Sequence, residues 1–481
     1  MAESLKVKSA KGFAWNFGGT LLQQGIIFII SIFLARLLTP GEFGLVGMAM
    51  AFIAICQVFI DVGFTSALIQ RQDNTNLTFS SIFYLNIFLG LLLTLAFYAT
   101  APLIGNFYGK PEITKLIKWL SLLFILNSFD LVQIAIFKKK LDFRTLTVRT
   151  FVATLVGGAV GIIAAFSGAG AYSLVIQKLV TSVLGSIMLW STSEWKPDLK
   201  FSIKEVRKLT GYSTYVFLDN TLNTVFDQLD LLMVGKVFNA SVLGYYSRAT
   251  TLKTQVTAYS SSSLTAVFFP VLSSMQDNDK EFARLYFKVI SVIAFTSYAL
   301  TGILCVLGKD VILLLFGQKW LPSVPIFQVL ILMACNPPIN SMMKNAYYSK
   351  GKSKQNFHIG LVRKALRVVP LIIMVYFGLF AFTVAFVIIN YTITVLNVYF
   401  LNRFTGLSYR EHFKKIFEGF LPMSLAIAIF FYMELDSTLT RIVYAIGFLG
   451  FYLVYAKIFS SEGLDFLLGN VVKVKSKILK R

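Results

Sequence analysis

Long apolar stretches recur along the whole chain, and they constrain its fold more than any other feature of the sequence. Fourteen of them approach or exceed the ~20 residues that an α-helix needs to cross the hydrocarbon core of a bilayer. Hydrophobic residues make up 56% of the 481 residues and charged residues only 14%, against about 25% charged in soluble domains. The sequence therefore predicts an all-α polytopic membrane protein without a large soluble domain.

The predicted spans are joined by short loops, several of which contain turn residues such as Thr39-Pro40-Gly41. A retained first helix is expected at the N-terminus, because its apolar run is too long for a signal peptide and no cleavage site precedes it. The fourteen spans are 12–38, 42–63, 80–105, 115–137, 146–166, 169–190, 209–235, 240–272, 284–307, 323–347, 357–376, 379–400, 416–434 and 438–458.

Basic residues alternate from loop to loop. The segments 138–149 and 191–208 are rich in Lys and Arg, whereas 167–170 and 377–380 contain neither. The positive-inside rule then puts both termini in the cytoplasm and requires an even number of spans, which fourteen satisfies. The same alternation accounts for most of the net charge of +22, so no nucleic-acid partner is expected. The basic segment 138–149 carries Lys138, Lys139, Lys140, Arg144 and Arg149.

The sequence contains an internal repeat at an offset of 200 residues. Ala35–Ala49 aligns with Gly235–Ala249, and Gly44 falls on Gly244. Six spans separate the two copies, and because this number is even, both copies cross the membrane in the same direction. Such a parallel repeat is typical of two-lobed transporters, whose substrate sites lie near the membrane midplane between the lobes.

A weaker echo at an offset of 210 residues links 120–144 with 330–354. The predicted architecture is two pseudo-symmetric six-helix bundles followed by two C-terminal helices. The predicted domains are an N-terminal lobe at 1–208, a C-terminal lobe at 209–400, and the two extra helices with a basic cytoplasmic tail at 401–481.

Charged and amide side chains inside the spans are the candidate functional residues. In the seventh span, Asp219, Asn223, Asp227 and Asp230 fall within one arc of the helix. In a soluble chain such an arc would be the polar side of a surface helix. In a membrane each carboxylate costs several kcal/mol in hydrocarbon, so the arc should face protein or a watery cavity.

Similar reasoning on the other spans gives a set of cavity candidates. Cations among them would suit an anionic headgroup such as phosphate or pyrophosphate, and amides and aromatic rings would suit sugars. A buried structural ion pair, for example between Asp219 and Arg248, is the alternative. The candidates are Asn16, Gln23, Gln24, Asp219, Asn223, Asp227, Asp230, Arg248, Lys253, Gln255 and Tyr259.

Other polar and proline residues receive different interpretations. The cations Lys288, Arg363, Lys364 and Arg367 lie near span ends and are expected to extend towards the interface. Prolines that interrupt spans, Pro270, Pro337 and Pro338, are hinge candidates because proline removes a helical hydrogen bond. The three cysteines and two histidines form no ligand cluster, so neither a metal nor a cofactor is expected. No catalytic motif is found, and no enzymatic activity is expected.

Several stretches resemble a known family. KGFAWNFGGTLLQQGIIFIISIFLARLLTPGEFGLVGMAMAF near the N-terminus and DVGFTSALIQR at Asp61–Arg71 are similar to Wzx-type polysaccharide repeat-unit flippases. These belong to the multidrug/oligosaccharidyl-lipid/polysaccharide exporter superfamily, and the colanic and teichuronic acid exporters look most similar. The resemblance covers essentially the whole chain.

The resemblance implies a function in the bacterial inner membrane. It implies translocation of undecaprenyl-pyrophosphate-linked oligosaccharide repeat units by alternating access between two bundles, for surface polysaccharide biosynthesis. The expected partners are the lipid-linked oligosaccharide, the phospholipid membrane, and the polysaccharide polymerase and chain-length machinery. Two alternatives stay open: an ion-coupled drug/cation antiporter of the same superfamily, and a non-transporting membrane scaffold.

Overall fold

The computed structural model describes residues 2–459 and 461–465; within this range the side chains of 2–14, 16, 17, 212, 258–267 and 270 are outside the description. All regular secondary structure in the described chain is helical, which confirms the predicted all-α fold. The helices are α1 (Ala2–Leu37), α2 (Pro40–Asp61), α3 (Phe64–Gln70), α4 (Asn76–Tyr108), α5 (Pro111–Leu120), α6 (Leu122–Ser128), α7 (Leu131–Lys139), α8 (Phe143–Phe166), α9 (Ala171–Thr192), α10 (Ile203–Val237), α11 (Ala240–Ser274), α12 (Asp279–Val306), α13 (Gly308–Phe316), a 3-10 turn (Gln318–Trp320), α14 (Ser323–Ile331), α15 (Asn336–Ser349), α16 (Ser353–Leu366), α17 (Val368–Thr405), α18 (Tyr409–Phe417), α19 (Phe420–Met433) and α20 (Thr438–Ile458).

The helices account for every predicted span. Ten helical segments of the described chain are long and apolar enough to cross a membrane, and α5–α7 form an eleventh that is bent by 40°. The segment 353–405 has 53 residues, and at 1.5 Å per residue it would extend about 80 Å as one helix. It therefore forms two of the predicted spans, which meet at Gly378, where φ is +82°.

The seventh and eighth predicted spans correspond to α10 and α11. Each is 35 residues long, which exceeds the ~20 residues needed to cross the core. Neither is apolar enough to count among those ten segments. These two helices carry most of the candidate polar residues, so their composition departs from that of an ordinary membrane helix at the predicted site.

The helix boundaries reproduce the internal repeat. α1 ends at Leu37 and α10 at Val237, while α2 begins at Pro40 and α11 at Ala240. The turns between them are capped alike: the Thr39 hydroxyl accepts from the Glu42 amide at 3.3 Å, and the Asn239 side-chain oxygen accepts from the Val242 amide at 2.9 Å. Such caps satisfy amides that the first helical turn leaves without a partner. The offset of 200 residues thus holds in the backbone.

The weaker echo holds as well. α7 ends at Lys139 and α15 at Ser349, and α8 begins at Phe143 and α16 at Ser353. Both differences are 210 residues, the offset that the sequence predicted. The fourth and tenth predicted spans are also both broken, the fourth into α5–α7 and the tenth into α14 and α15. The two halves therefore share their local architecture.

The chain divides into two compact units, residues 1–247 and 248–481. In the first unit α10 packs along α2, and the two hairpin turns approach closely. A Cβ atom added to Gly44 would lie 1.6 Å from the Ala240 carbonyl oxygen, and one added to Gly244 would lie 2.0 Å from that of Pro40. Glycine is required at both positions because the backbones touch there, and the reciprocal contact relates the two repeat copies.

The second unit has its own apolar core. Helix α12 contributes many buried residues to it, among them Tyr286, Tyr298 and Cys305. Tyr452 of α20 donates to the Phe295 carbonyl at 3.0 Å. α13 is held to the start of α20 by a bidentate ion pair between Asp310 and Arg441, with nitrogen–oxygen distances of 2.7 and 2.8 Å.

Candidate functional site

The predicted polar arc lies on α10. Asp219, Asn223 and Asp227 follow one another at intervals of four residues, and all three side chains are exposed. Asp230 is half-buried and accepts a hydrogen bond from the Tyr246 hydroxyl of α11 at 2.7 Å. The arc thus contains an open polar stripe, Asp219–Asp227, and one carboxylate that connects two helices of the first unit.

The equivalent positions in α1 are less polar. Asp227 and Asp230 of α10 correspond, at the offset of 200, to Ile27 and Ile30. Ile30 is buried, and it contacts the position where a Cβ on Gly158 would lie. The predicted candidates Gln23 and Gln24 are half-buried on α1, and the side chain of Asn16 lies outside the described residues.

The remaining cavity candidates lie on α11. Arg248, Lys253 and Gln255 are half-buried, and the side chain of Tyr259 lies outside the described residues. The predicted pairing of Asp219 with Arg248 stays a prediction. Arg248 and Lys253 are nevertheless cations in a helix long enough to cross a membrane, and each can supply a donor to an anion.

Two of the three hinge candidates lie beside a break between helices. Pro337 and Pro338 lie in the first turn of α15, immediately after the break that separates it from α14. Proline is well accommodated at this point because the first helical amides have no intrahelical acceptor. The side chain of Pro270 lies outside the described residues.

The ion pair of a buried polar core in the first unit was not predicted. We name it the Asp130 core; it consists of Asp130, Arg149, Gly185 and Ser186. Arg149 forms an ion pair with Asp130 and donates from Nε to the Gly185 carbonyl at 2.7 Å. Ser186 donates to the other carboxylate oxygen at 2.8 Å. Arg149, which the sequence analysis placed in a basic loop, instead lies in α8.

The second unit contains a related core, which sequence reasoning missed. We name it the Asn340 core; it consists of Asn340, Asn356, Arg363, Thr394 and Asn397. The Asn340 amide donates to Thr394 Oγ1 at 3.1 Å, and the Asn397 amide donates to Asn340 Oδ1 at 2.6 Å. Arg363 donates to Asn397 Oδ1 at 3.3 Å and to Asn356 Oδ1 at 3.1 Å.

The Asn340 core includes one cation that was expected to extend towards the interface. The Arg363 guanidinium donates to Asn356, seven residues nearer the start of α16, and to Asn397; its extension to the interface stays a prediction. Its bond to Asn397 joins two residues that are 34 apart in sequence. The chain reversal at Gly378 makes this contact possible. The offset of 210 maps Asp130 onto Asn340, but it does not by itself predict these contacts.

An apolar cavity of about 680 Å³ lies within the second unit. Its walls include Val387 and Tyr391 of α17 and Phe420, Met423 and Ile427 of α19. Tyr391 is oriented by donating to the Leu332 carbonyl at 2.7 Å. The cavity can accept a hydrocarbon chain but offers little to a sugar.

No group of three or more Asp, Glu, His and Cys in the described chain could hold a metal ion. The free cysteines Cys56, Cys305 and Cys335 are half-buried or buried. Neither set suggests metal or redox chemistry at the residues described above. The chemistry available is hydrogen bonding by hydroxyls, amides and carboxylates, and ion pairing by arginine and lysine.

Comparison with protein families identifies similar sequences. A family model described as polysaccharide biosynthesis protein matches residues 33–325. The chain is 24% identical to the lipopolysaccharide biosynthesis protein WzxC of Escherichia coli strain K12 over 88% of this chain and 86% of that protein. It is 24% identical to the teichuronic acid biosynthesis protein TuaB of Bacillus subtilis strain 168, over 74% of each.

Solved structures show a similar fold at low sequence identity. An inward closed conformation of the lipid II flippase MurJ has a TM-score of 0.73 at 16% identity, covering 92% of this chain and 98% of that one. An inward-facing multidrug resistance MATE family transporter of the MOP superfamily has a TM-score of 0.63 at 15% identity, covering 80% and 95%. Both likenesses concern the fold alone, and they agree with the arrangement of helices described above.

Proposed function

The chain belongs to the polysaccharide biosynthesis protein family as a Wzx-type exporter, and on this premise we propose that it flips undecaprenyl-pyrophosphate-linked oligosaccharide repeat units. Members of this family are membrane transporters, not enzymes. In the proposal the oligosaccharide moves from the cytoplasmic to the outer leaflet of a bacterial inner membrane by alternating access. Both termini are then cytoplasmic.

The observation that carries the proposal is the exposed stripe of Asp219, Asn223 and Asp227 on a helix long enough to span the membrane. Carboxylate and amide oxygens accept hydrogen bonds from hydroxyls, which a glycan presents in number. Exposed carboxylates within a membrane are costly unless they face water or a ligand. A glycan passing along the stripe would supply such a polar surface.

The other two parts of the substrate would be bound elsewhere. Arg248 and Lys253 would bind the pyrophosphate, because charge-assisted hydrogen bonds to phosphate oxygens are stronger than neutral ones. The apolar cavity between α17 and α19 would take part of the undecaprenyl chain, since burial of each methylene contributes about 0.8 kcal/mol. The reciprocal contact at Gly44 and Gly244 would separate when the outer side opens.

A flipping assay in proteoliposomes tests the proposal. The lipid-linked oligosaccharide of the native host is placed in both leaflets, and its accessibility to an external glycan-modifying enzyme is followed with and without protein. We expect protein-dependent equilibration, and a loss of at least tenfold in Asp219→Asn/Asp227→Asn. Asp277→Asn, an exposed residue of the turn between α11 and α12, is the control. Absence of flipping by the wild-type protein with its native substrate would favour a scaffold.

A drug/cation antiporter is the second candidate, because exposed carboxylates can also bind cations. In the same vesicles, an imposed proton or sodium gradient would then drive uptake of a cationic dye. Dye uptake that needs Asp219 and Asp227, without oligosaccharide flipping, would replace the proposed function. A deletion strain with normal surface polysaccharide and increased drug sensitivity would give the same answer in cells.

A further inference from the structure

Helix α18 lies just before the predicted span 416–434, and one of its faces is fixed to the second unit. On this face a ring nitrogen of His412 lies 3.0 Å from the Tyr286 hydroxyl of α12. Lys415, with 8% of its side chain exposed, pairs with Glu462 at 3.1 Å. The helix is therefore held in place at a membrane interface, which the basic loops predict to be the cytoplasmic one.

The outer face of α18 carries an aromatic stripe beside a basic one. Tyr409, Phe413 and Phe417 follow one another at intervals of four residues, and their successive ring centroids are 4.7 and 5.2 Å apart. Arg410 and Lys414, both exposed, form the adjoining stripe, because each residue turns ~100° about the helix axis. Aromatic rings beside Lys and Arg are typical of helix surfaces at the headgroup level of a membrane.

The protein does not neutralise these two cations. No carboxylate of the part of the chain that the structure describes forms an ion pair with Arg410 or Lys414. Glu411, the single acid in the sequence of α18, lies about 160° around the helix from Phe413. The aromatic stripe is therefore bordered by positive charge that is open to an anion.

Ring contacts lead from this face into the apolar cavity of the second unit. The ring centroids of Phe417 and Phe420 are 5.6 Å apart, and those of Phe420 and Tyr391 are 5.5 Å apart. All three side chains line the cavity of about 680 Å³. Lys414 is one helical turn from Phe417, so the cations lie beside one end of the cavity.

The hydroxyl groups in the cavity wall are already donating to the backbone. Thr392 and Ser424 each donate to a carbonyl of the preceding helical turn at 3.0 Å, and Tyr391 donates to the Leu332 carbonyl at 2.7 Å. A sugar or a charged group that entered the cavity would lose its water without gaining these donors, which is costly. The cavity therefore suits a hydrocarbon chain, and the charged face of α18 suits the group at the end of that chain.

The number of chains and of charges selects one kind of lipid. A glycerophospholipid has two acyl chains, and phosphatidylglycerol carries one negative charge. A polyprenyl pyrophosphate has a single chain that ends directly in two phosphates. It matches both the single cavity and the pair of cations, since charge-assisted hydrogen bonds to phosphate oxygens are strong.

We propose that the outer face of α18 is the docking site at which the lipid-linked substrate is received from the cytoplasmic leaflet. Arg410 and Lys414 bind the pyrophosphate, and the polyprenyl chain passes the rings of Phe413 and Phe417 into the cavity. The glycan remains in water on the cytoplasmic side. This site rests on the proposed function and adds a loading step before the substrate reaches the cations of α11.

Site-specific photo-crosslinking tests where the lipid docks. The photoreactive residue p-benzoylphenylalanine replaces Phe413 in the full-length protein, in vesicles of phosphatidylethanolamine and phosphatidylglycerol that contain radiolabelled undecaprenyl pyrophosphate. In the control it replaces Phe431, which is 52% exposed on α19 and is not part of the cavity wall. We expect severalfold more crosslinking from Phe413, and equal crosslinking from the two positions would overturn the site.

A double variant tests the two cations. Because both side chains are exposed, Arg410→Gln/Lys414→Gln should keep the fold, and crosslinking from Phe413 should fall by about fivefold or more. Lys280→Gln/Arg284→Gln is the matched control, since it removes two exposed cations that are also four residues apart, in the first turns of α12. It should leave crosslinking nearly unchanged. Undiminished crosslinking in the first variant, or an equal fall in both, would overturn the role of the cations.

Unlabelled lipids identify the occupant. An excess of undecaprenyl pyrophosphate should displace the label, whereas undecaprenol, which lacks the charge, and additional phosphatidylglycerol should not. Equal displacement by phosphatidylglycerol would overturn the assignment to the substrate in favour of an anionic phospholipid. Equal displacement by undecaprenol would show that the pyrophosphate is not bound there.

The flipping assay separates this docking site from the proposed function. For a loading site, Arg410→Gln/Lys414→Gln should raise the substrate concentration that gives half-maximal flipping by about fivefold, with little change in the maximal rate. Unchanged flipping at every substrate concentration would overturn the loading step and leave the flippase proposal intact. Wild-type protein that crosslinks the lipid from Phe413 but does not flip oligosaccharide would keep the docking site and overturn the flippase proposal.

Discussion

The Asp130 core and the Asn340 core occupy equivalent places in the two repeats but differ in charge. Ser186 lies fifteen residues after the first residue of α9, and Thr394 lies fifteen residues after the residue that follows the break at Gly378 in α17. Ser186 is 2.8 Å from Asp130, and Thr394 is 3.1 Å from Asn340. The first core contains an acid and a base that neutralise each other. The second contains only the base, one helical turn further along its helix. The two repeats thus share a polar contact at equivalent positions, but only the first has an acidic partner for its arginine.

The paired hairpins also share their backbone and differ in charge, but here the second copy carries the acidic residues. α1–α2 and α10–α11 begin and end at equivalent residues, yet Ile27 and Ile30 of the first pair stand where the second has Asp227 and Asp230. Packing at the hairpin turns is preserved by Gly44 and Gly244. In both comparisons the shared features maintain the fold, and the substituted ones distinguish the surfaces that a substrate could meet.

The difference between the two cores is tested most directly at their arginines. Arg149→Gln leaves Asp130 buried without its counter-charge, which costs about 3–5 kcal/mol when one partner of a buried pair is removed. Arg363→Gln removes a charge that has no acidic partner, so the fold should be retained. Fluorescence-detected size-exclusion chromatography of the two variants checks this: we expect aggregation or low yield for Arg149→Gln and a monodisperse peak for Arg363→Gln.

The double variant Asp130→Asn/Arg149→Gln supplies the control. It removes both charges of the first core, and we expect it to recover much of the yield lost in Arg149→Gln. Equal yields for Arg149→Gln and Arg363→Gln would contradict the difference between the cores.

The repeat contact at the hairpin turns gives the next largest effect. Gly44→Ala would put a methyl group 1.6 Å from the Ala240 oxygen, and forced overpacking of this kind costs about 1–3 kcal/mol. Gly244→Ala should behave alike, because its methyl would lie 2.0 Å from the Pro40 oxygen. Gly47→Ala is the matched control, as its methyl would make an ordinary 3.5 Å contact with Leu243. Thermal midpoints in detergent measure the series; a lower midpoint for Gly47→Ala than for Gly44→Ala would contradict it.

The sequence predicted the parts of this comparison that depend on periodicity. The spans follow from apolar length, and the hairpin equivalence follows from the offset of 200 residues. The predicted spans and the hairpin equivalence could be obtained because each depends on residues that are close in sequence or on a repeat that is visible in it. The polar stripe on α10 follows from helical spacing as well, and its role at a cavity stays a prediction.

The Asn340 core could not be obtained in this way. Asparagines carry no charge, so Asn340 and Asn397 did not stand out in their apolar spans, and their contact depends on a chain reversal at Gly378. The Asp130–Arg149 pair was missed for a related reason: Arg149 follows a basic loop and was counted with it. In both cases the missing information was how the helices pack against one another.

The neutral hydroxyls of the cores give a smaller effect. Ser186→Ala removes one donor from a buried carboxylate, and hydrogen bonds to charged groups contribute about 1.5–3 kcal/mol, somewhat less here because Arg149 still binds Asp130. Thr394→Val removes an acceptor from a neutral amide, for which about 0.5–1.5 kcal/mol is typical. We therefore expect Ser186→Ala to lower the thermal midpoint more than Thr394→Val. The reverse order would show that the charge in the first core does not strengthen its hydrogen bonds.

The smallest effect belongs to an ion pair outside the spans, Arg71–Asp73, which extends the comparison from buried to exposed charges. Both guanidinium contacts are 2.7 Å, but the Asp73 side chain is 75% exposed. Hydrogen bonding to Arg71 lowers the pKa of Asp73 to about 2, from about 3.9 in an unfolded chain. Because the folded pKa is the lower one, the pair stabilises the protein above about pH 4, and this contribution is lost as the pH falls towards 2.

Asp73→Asn should therefore differ from wild type only slightly at pH 6, since exposed pairs contribute little, and the difference should vanish at the acid end. Thermal midpoints from pH 6 downwards check this, with Asp277→Asn as the exposed control. A deficit in Asp73→Asn as large as that of Arg149→Gln would mean that burial does not decide what these ion pairs contribute.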